Sequence, residues 1–300
     1  MRLSSFWRAE SDARNVLFFL PAAILLGLVV VYPILRTTIL SLFHLKLATQ
    51  FQAEFAGPEN FVRLLFDSRF HNSLKVTGLF TAVSVALEFG IGLLLALAAN
   101  ALVHGKGLVR TVLLVPWTLP TAIIAVLWTW IFNDQYGVLN ALLMKTGITT
   151  EAIPWLAGPH TAMAAIIMAD VWKTVPFVFP VLLAGLQNVP RELHEAIEMD
   201  GGGAWAKFKY VTWPHLLPFV FISIIFRIIQ AFAIFDLVYV MTGGGPGGGT
   251  ETVSLYSYQT YMRYLDFGYG STLVVATVLI LALTAFVLHT FLHRRYERQF

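Results

Sequence analysis

Cysteine is absent from the 300 residues, so this chain forms neither a disulfide framework nor a thiolate metal site. Charge is also scarce, because only 12% of the residues are Asp, Glu, Lys or Arg whereas 57% are hydrophobic. With a mean hydropathy of +0.72, this composition excludes an ordinary water-soluble domain. The formal net charge of +3 does not indicate nucleic-acid binding, since the basic residues flank apolar runs instead of forming one patch. The composition predicts a membrane protein that contacts lipid.

Signatures of catalytic and nucleotide-binding sites are missing as well. The glycine run at residues 242–249 lacks the Lys and the Ser or Thr of a phosphate-binding loop. His194-Glu195 begins like a zinc-protease motif, but position 198 is Glu where that motif requires His. A G-x-S-x-G nucleophile elbow does not occur either. We therefore expect no catalytic residue, no metal site and no cofactor in this chain.

Six apolar runs are long enough to cross a bilayer. Backbone amides in hydrocarbon need internal partners, so such runs of about 20 residues are helices. We predict helices at residues 15–36, 73–98, 108–132, 161–186, 216–241 and 270–292. The first run is too long for a signal peptide and lacks a small-residue cleavage site, which indicates a retained anchor. The sequence thus predicts an all-α polytopic membrane protein with a single domain over residues 1–300.

The distribution of Lys and Arg predicts the orientation of these helices. The long first connection, residues 37–72, is also basic, but long loops translocate with little regard to charge. We therefore expect both termini and the loop at residues 188–218 to be cytoplasmic. The basic residues on that side are Arg2, Arg8, Arg14, Lys106, Arg110, Arg191, Lys207, Lys209, Arg294, Arg295 and Arg298.

The segment at residues 188–218 concentrates charge between two long apolar runs. Asn188 and Pro190 are helix-start signals, and the following residues alternate between an apolar and a charged face with helical spacing. Three glycines, residues 201–203, then predict a turn, because a residue without Cβ adopts positive φ without steric cost. The plain alternative is a solvated loop between two membrane helices.

The spacing within this segment resembles the "EAA" motif of the membrane subunits of ABC importers, most closely the sugar-uptake branch that includes the maltose transporter. The motif is carried by Glu195, Ala196, Asp200, Gly201, Phe208, Val211, Pro214, Leu216 and Pro218, with Ile197 and Gly202 as small departures. In that family the loop is a coupling helix that sits in a cleft of the ATP-hydrolysing subunit. The resemblance therefore implies ATPase-coupling roles for Glu192, Glu195, Ala196, Asp200 and Gly201.

Two outer segments extend the resemblance. Pro58 is followed by Glu59, Asn60 and Phe61, which match the family's "ENF" stretch and begin a predicted short amphipathic helix at the outer interface. The glycine run at residues 242–249 matches the family's "T-x-G-G-P" stretch and is expected to form a turn after the fifth helix.

Five ionisable residues lie inside the apolar runs, away from the ends, and should face the bundle interior, a wet cavity or a partner. We interpret Glu88 and Asp236 as structural hydrogen-bonding groups. The others belong to two polar stripes with i, i+3, i+4, i+7 spacing on the fourth and fifth helices. A salt bridge, for instance of Asp170 with Lys173 or Arg227, is the alternative to a ligand site. The resemblance places the stripes at sugar-contacting positions and implies a substrate site of Asp170, Lys173, Thr174, Phe177, Arg227 and Gln230.

The resemblance covers nearly the whole chain and implies a type I ABC importer transmembrane domain in the bacterial inner membrane. Its partners would be a second permease subunit, two ATPase subunits that bind ATP and Mg²⁺, and an extracytoplasmic sugar-binding protein. The expected substrate is an oligosaccharide, disaccharide or glycoside. Two alternatives stay open: an ion-coupled secondary transporter, which would not need the glycine-hinged cytoplasmic helix, and an ABC importer for a sugar phosphate or polyol.

Overall fold

The computed structural model describes residues 19–47, 52–102 and 105–297. The expected cytoplasmic residues Arg2, Arg8, Arg14 and Arg298 lie outside these ranges, as do residues 15–18 of the first predicted helix. Helices dominate the described part of the chain. They are α1 (Phe19–Leu40), α2 (Glu59–Leu65), α3 (Ser68–Ala101), α4 (Lys106–Thr118), α5 (Thr121–Ile131), α6 (Val138–Lys145), α7 (Pro159–Gln187), α8 (Arg191–Met199), α9 (Ala204–Lys207), α10 (Trp213–Phe232), α11 (Asp236–Met241), α12 (Val253–Tyr258) and α13 (Phe267–Glu297).

Five helical stretches are long and apolar enough to cross a membrane: α1, α3, α7, Ala204–Met241 and Phe267–Leu288. The pair α4 and α5 supplies a sixth span, although its two halves are bent by 92° at the break between them. This arrangement confirms the predicted all-α class, and the number of spans is six when the bent pair is counted as one.

This bend divides the predicted helix at residues 108–132 into α4 and α5. Pro120 has no N–H to donate, and its ring disfavours helical geometry at Leu119, which is extended (ψ 140°). The predicted helix at residues 216–241 is also interrupted, because α10 ends at Phe232 and α11 begins at Asp236. A short antiparallel pair of strands, β1 (Phe43–His44) and β2 (Glu54–Phe55), was not predicted.

The chain divides into two compact units. The first comprises residues 1–66 with Ser257–Ala276, of which residues 19–47, 52–66 and 257–276 are described. The buried side chain of Asn60 donates hydrogen bonds to the carbonyls of Ser41 (3.1 Å) and Phe43 (2.9 Å). The hydroxyl of Thr272 donates to the same Ser41 carbonyl at 3.1 Å. Asn60 of the "ENF" stretch therefore ties α2 to the chain around β1.

The second unit comprises Asp67–Tyr256 with residues 277–300 and is built around α3, α7 and α10. Its apolar core includes Ala96, Phe179, Leu182 and Leu216, none of which is exposed. Close approach of the helices depends on glycine at Gly92, where an added Cβ would lie 2.9 Å from Val178 Cγ1. The polar stripes predicted on the fourth and fifth helices lie on α7 and α10, so this packing brings them together.

Candidate functional site

A buried ion cluster joins the three central helices of the second unit. Arg227 of α10 donates from Nε to Glu88 Oε2 at 2.5 Å and from Nη2 to Glu88 Oε1 at 2.8 Å. The same Nη2 lies 3.2 Å from Asp170 Oδ2 of α7. All three side chains are buried, and burial of a charge is tolerated only when it is paired and hydrogen-bonded. The ion cluster, Glu88, Asp170 and Arg227, therefore forms one mutually dependent group.

Two polar side chains complete the hydrogen bonding of the ion cluster. Thr174 Oγ1 lies 2.7 Å from Glu88 Oε1 and 2.6 Å from the Asp170 carbonyl one turn earlier on α7. Arg227 Nη1 donates to Gln230 Oε1 at 2.8 Å. Gln230 itself is exposed, so it connects the buried cluster to the surface of this chain.

Lys173 does not join the ion cluster. Its Nζ lies 2.7 Å from Thr121 Oγ1 of α5, and among the described residues no carboxylate is within 4 Å of it. Lys173 is half-buried, which leaves part of it accessible to a ligand or partner.

Three aromatic rings pack together, and one of them, Phe177, lies one helical turn after Lys173 on α7. Phe177 stacks on Phe226 with ring centroids 4.7 Å apart and on Trp117 at 6.1 Å. Trp117 and Phe226 are 46% and 43% exposed, so the stack forms part of the surface of this chain. We call this surface the ledge and define it as Trp117, Thr121, Lys173, Phe177, Phe226 and Gln230.

The six residues predicted for the substrate site thus fall into two groups. Asp170, Thr174 and Arg227 belong to the buried ion cluster, while Lys173 and Phe177 lie on the ledge; Gln230 belongs to the ledge and also contacts Arg227. The anticipated ion pair of Asp170 with Arg227 is present, and that of Asp170 with Lys173 is not. Sequence reasoning missed Glu88 as the main partner of Arg227, because its single charge in an apolar run gave no indication of which helix it would face.

The predicted coupling segment has the expected two helices and glycine turn. α8 carries Glu192, Glu195 and Ala196, and Asp200 follows its last residue. Gly201 adopts a positive φ of 78°, and the Gly202 N–H donates to the Ile197 carbonyl at 2.8 Å, so the turn satisfies a free carbonyl at the helix end. Lys207 of α9 pairs with Glu198 of α8 across the turn.

One expectation for this segment is wrong. Asn188 does not begin α8 but follows the last residue of α7, where its N–H bonds to the carbonyls of Ala184 and Gly185. Pro190 is the residue before α8, and no side chain caps that helix. None of the residues of α8 is buried within this chain; Met199 at its end is 89% exposed, and Trp205 of α9 is 72% exposed.

This chain is similar in sequence to known transport proteins. Residues 88–298 match the family model "Binding-protein-dependent transport system inner membrane component". The sulfoquinovosyl glycerol transport system permease protein SmoG of Agrobacterium fabrum is 42% identical over 87% of this chain and 84% of its own length. The trehalose/maltose transport system permease protein MalF of Thermococcus litoralis is 39% identical over 94% of this chain and 95% of its own length.

The fold itself has a solved counterpart. A chain in the crystal structure of a bacterial ABC transporter involved in the import of the acidic polysaccharide alginate superposes with a TM-score of 0.79. The match covers 98% of this chain and 99% of the other at 20% sequence identity. At that identity the likeness concerns the architecture of the membrane domain.

Proposed function

This chain belongs to the family of binding-protein-dependent transport system inner membrane components, and on that premise we propose that it forms half of the pathway by which an ABC importer takes up a sugar or glycoside. The family assignment makes it a multi-pass inner-membrane permease component, not an enzyme, that works with a binding protein and partner subunits. The proposal concerns the substrate, the site and the mode of coupling.

The ledge is the observation that carries the substrate proposal. Stacked rings of Phe177 and Phe226 offer a flat apolar face to the C–H surface of a pyranose ring. Lys173 and Gln230 at its margins supply polar groups that fix the orientation of a ligand. Relatives named for sulfoquinovosyl glycerol and for trehalose and maltose support a carbohydrate as the ligand.

We assign the two groups of predicted site residues different roles. Lys173, Phe177 and Gln230 contact the sugar, because they are the accessible members of the predicted set. Asp170, Thr174 and Arg227 already satisfy one another and Glu88, so they hold Gln230 and the helices in position. This division keeps the charge of the ion cluster away from the path of the substrate.

The exposed surface of α8 and the turn after it is proposed to contact an ATPase subunit. Leu193 of α8 and Met199 at its end expose apolar side chains next to the charged Glu192 and Glu195. A short amphipathic helix that buries nothing within its own chain needs another surface to cover it. On this proposal ATP and Mg²⁺ bind to two ATPase subunits, a second permease subunit completes the pathway, and both termini are cytoplasmic.

Copurification and ATPase assays test this function. The chain, expressed with its neighbouring transport subunits, should copurify with an ATPase whose activity rises when a carbohydrate-loaded binding protein is added. Uptake into proteoliposomes should require internal ATP and should persist when an ionophore collapses ion gradients. Uptake that follows the ion gradient without ATP would instead identify the alternative, a self-sufficient ion-coupled transporter.

A further inference from the structure

We propose that the ledge recognises a negatively charged substituent on the glycoside, such as a sulfonate or a carboxylate, through Lys173, Gln230 and Thr121. This inference rests on the proposed function and concerns the chemical class of its substrate. The inference follows from the hydrogen-bond donors and the cation that the ledge presents to a ligand.

The orientation of the Gln230 amide is determined by Arg227. A guanidinium group has five N–H donors and no acceptor, so only the amide oxygen of Gln230 can face it. That contact, at 2.8 Å, occupies the oxygen and leaves the amide nitrogen of this exposed side chain to meet a ligand. Gln230 therefore acts as a donor on the ledge.

Thr121 is left as a donor by a similar argument. An ammonium group has three donors and no acceptor, so the 2.7 Å contact with Lys173 uses a lone pair of the Thr121 hydroxyl. Within the described residues this hydroxyl makes no other hydrogen bond, and its proton stays available. The other two N–H groups of the Lys173 ammonium make no hydrogen bond within the described residues and can donate to a ligand.

Helical spacing and one ring contact place these donors along one surface. Lys173 and Phe177 are four residues apart on α7, and Phe226 and Gln230 are four residues apart on α10, so each pair shares a helix face. The stacking of Phe177 on Phe226 joins the two pairs. The ledge therefore offers a ligand one cation, Lys173, and two further hydrogen-bond donors, on Thr121 and Gln230, beside an apolar ring face.

A surface with a cation and adjacent donors discriminates between carbohydrates. Sugar hydroxyls both donate and accept, so a site for an uncharged sugar uses acceptors as well as donors. Sulfonate and carboxylate oxygens only accept, and a cation next to them strengthens each hydrogen bond. The ledge thus fits a glycoside whose ring lies on the aromatic rings and whose anionic group faces Lys173.

The competing role for Lys173 is to balance the ion cluster, in which two carboxylates meet one guanidinium. Asp170 is three residues before Lys173 on α7, a spacing that allows an ion pair along the helix. The structure does not have that pair, and Lys173 Nζ contacts Thr121 on another helix instead. This geometry favours the ligand role, and the experiment below separates the two.

The test uses the complete importer in proteoliposomes with three matched probes: glucosyl glycerol, glucuronosyl glycerol and sulfoquinovosyl glycerol, which differ at the sixth carbon of the sugar. Uptake is compared between wild type and variants, so that selectivity of the binding protein cancels in the variant-to-wild-type ratio. Lys173→Gln should lower the uptake of the anionic probes relative to glucosyl glycerol by about tenfold or more, as expected for loss of a charged hydrogen bond. Lys173→Arg should retain most of the preference, and Lys145→Gln, at an exposed position of α6, should leave it unchanged.

Three results would overturn the inference. In the first, Lys173→Gln lowers the uptake of all three probes equally. In the second, its defect is one of assembly that Asp170→Asn repairs, which identifies Lys173 as a charge balance. In the third, the wild-type importer takes up only uncharged glycosides; this result rules out the anionic substrate but leaves the proposed function intact. Failure of the proposed function differs from all three, because the wild-type complex then takes up no carbohydrate.

Discussion

Arg227 donates two hydrogen bonds to Glu88, at 2.5 and 2.8 Å, although the two residues are 139 positions apart in the chain. This pair joins α10 to α3, and the third donor group of the same guanidinium holds the oxygen of Gln230. One buried cation therefore serves two purposes: it connects two membrane helices, and it determines which atom of Gln230 is free to meet a ligand.

The first prediction concerns the stability of the ion cluster. Arg227→Met removes the guanidinium that lies between two buried carboxylates and should destabilise the protein by about 3–5 kcal/mol. The double variant Arg227→Met, Glu88→Leu should recover part of that loss, since an apolar pair replaces an ion pair and only Asp170 is left without the guanidinium. Thermal unfolding of the purified importer measures both effects. A single variant as stable as wild type would contradict the mutual dependence of the cluster.

A second prediction separates the ligand role of Gln230 from a structural one. Gln230→Leu removes one hydrogen bond from Arg227 at an exposed position, so stability should change by no more than about 1 kcal/mol. Substrate preference should nevertheless change, because the amide donor on the ledge is lost. Competition for uptake among a panel of glycosides, at matched amounts of assembled complex, provides the measurement. An unchanged order of preference would remove Gln230 from the site.

The third prediction concerns the glycine turn after α8. Gly201→Asp places a side chain at a φ of 78° and should distort the turn at a cost of about 1 kcal/mol or more. Gly203→Asp adds the same charge two residues on, where φ is −77° and an added Cβ has no atom within 4 Å. We expect ATPase copurification to fall in the first variant and to persist in the second. Equal loss in both would point to the added charge alone.

A related change tests Glu195 by charge reversal. Glu195→Lys alters an exposed residue of α8 and should weaken binding of the ATPase without affecting membrane insertion, because this residue is not buried within the chain. Full transport by a chain that carries both Gly201→Asp and Glu195→Lys would refute the coupling role of this segment.

Asn60 provides the fourth prediction. Asn60→Leu removes the donors to the Ser41 and Phe43 carbonyls and leaves buried acceptors without these partners, at a cost of about 1–3 kcal/mol. Hydrogen exchange at Phe43 and His44 of β1 should become faster. Leu65→Ala, at an exposed position of the same helix, is the matched control and should exchange like wild type. Unaltered protection in the Asn60→Leu variant would show that the amide contributes little.

Orientation gives the fifth prediction. Topology reporters fused after Phe300 and after Gly203 should both report the cytoplasm, and a reporter after Gly247 should report the outer side, as the distribution of Lys and Arg indicates. An outer location for Gly203 would be incompatible with the coupling role of α8.

Features that depend on neighbouring residues could be predicted from the sequence, and contacts between residues far apart in the chain could not. The membrane helices were predictable because apolar length alone specifies them, and the turn at Gly201 because a local backbone requirement selects glycine. The stripes on α7 and α10 were predictable from helical spacing. The pairing of Arg227 with Glu88 was not, because contacts between distant helices depend on how those helices rotate and cross.

Two local features also escaped prediction for physical reasons. Pro116 and Pro120 favour a bend in this span, but its size depends on what packs around it, and the actual break reaches 92°. The strands β1 and β2 have two residues each, which is too short for the alternating pattern that identifies a strand.

The break between α4 and α5 leaves backbone groups that need covering by protein or water. Around Leu119 the helical hydrogen bonding is interrupted, and the side chain of Leu119 is exposed in the isolated chain. Broken backbone at membrane depth persists only where protein or water covers it, since lipid offers no hydrogen bonds. On the proposed assembly, a copy made without its partners would present this break to the bilayer, where its free backbone groups find no hydrogen-bond partner. The partner subunits would then be needed to satisfy the backbone of this chain as well as to complete the pathway.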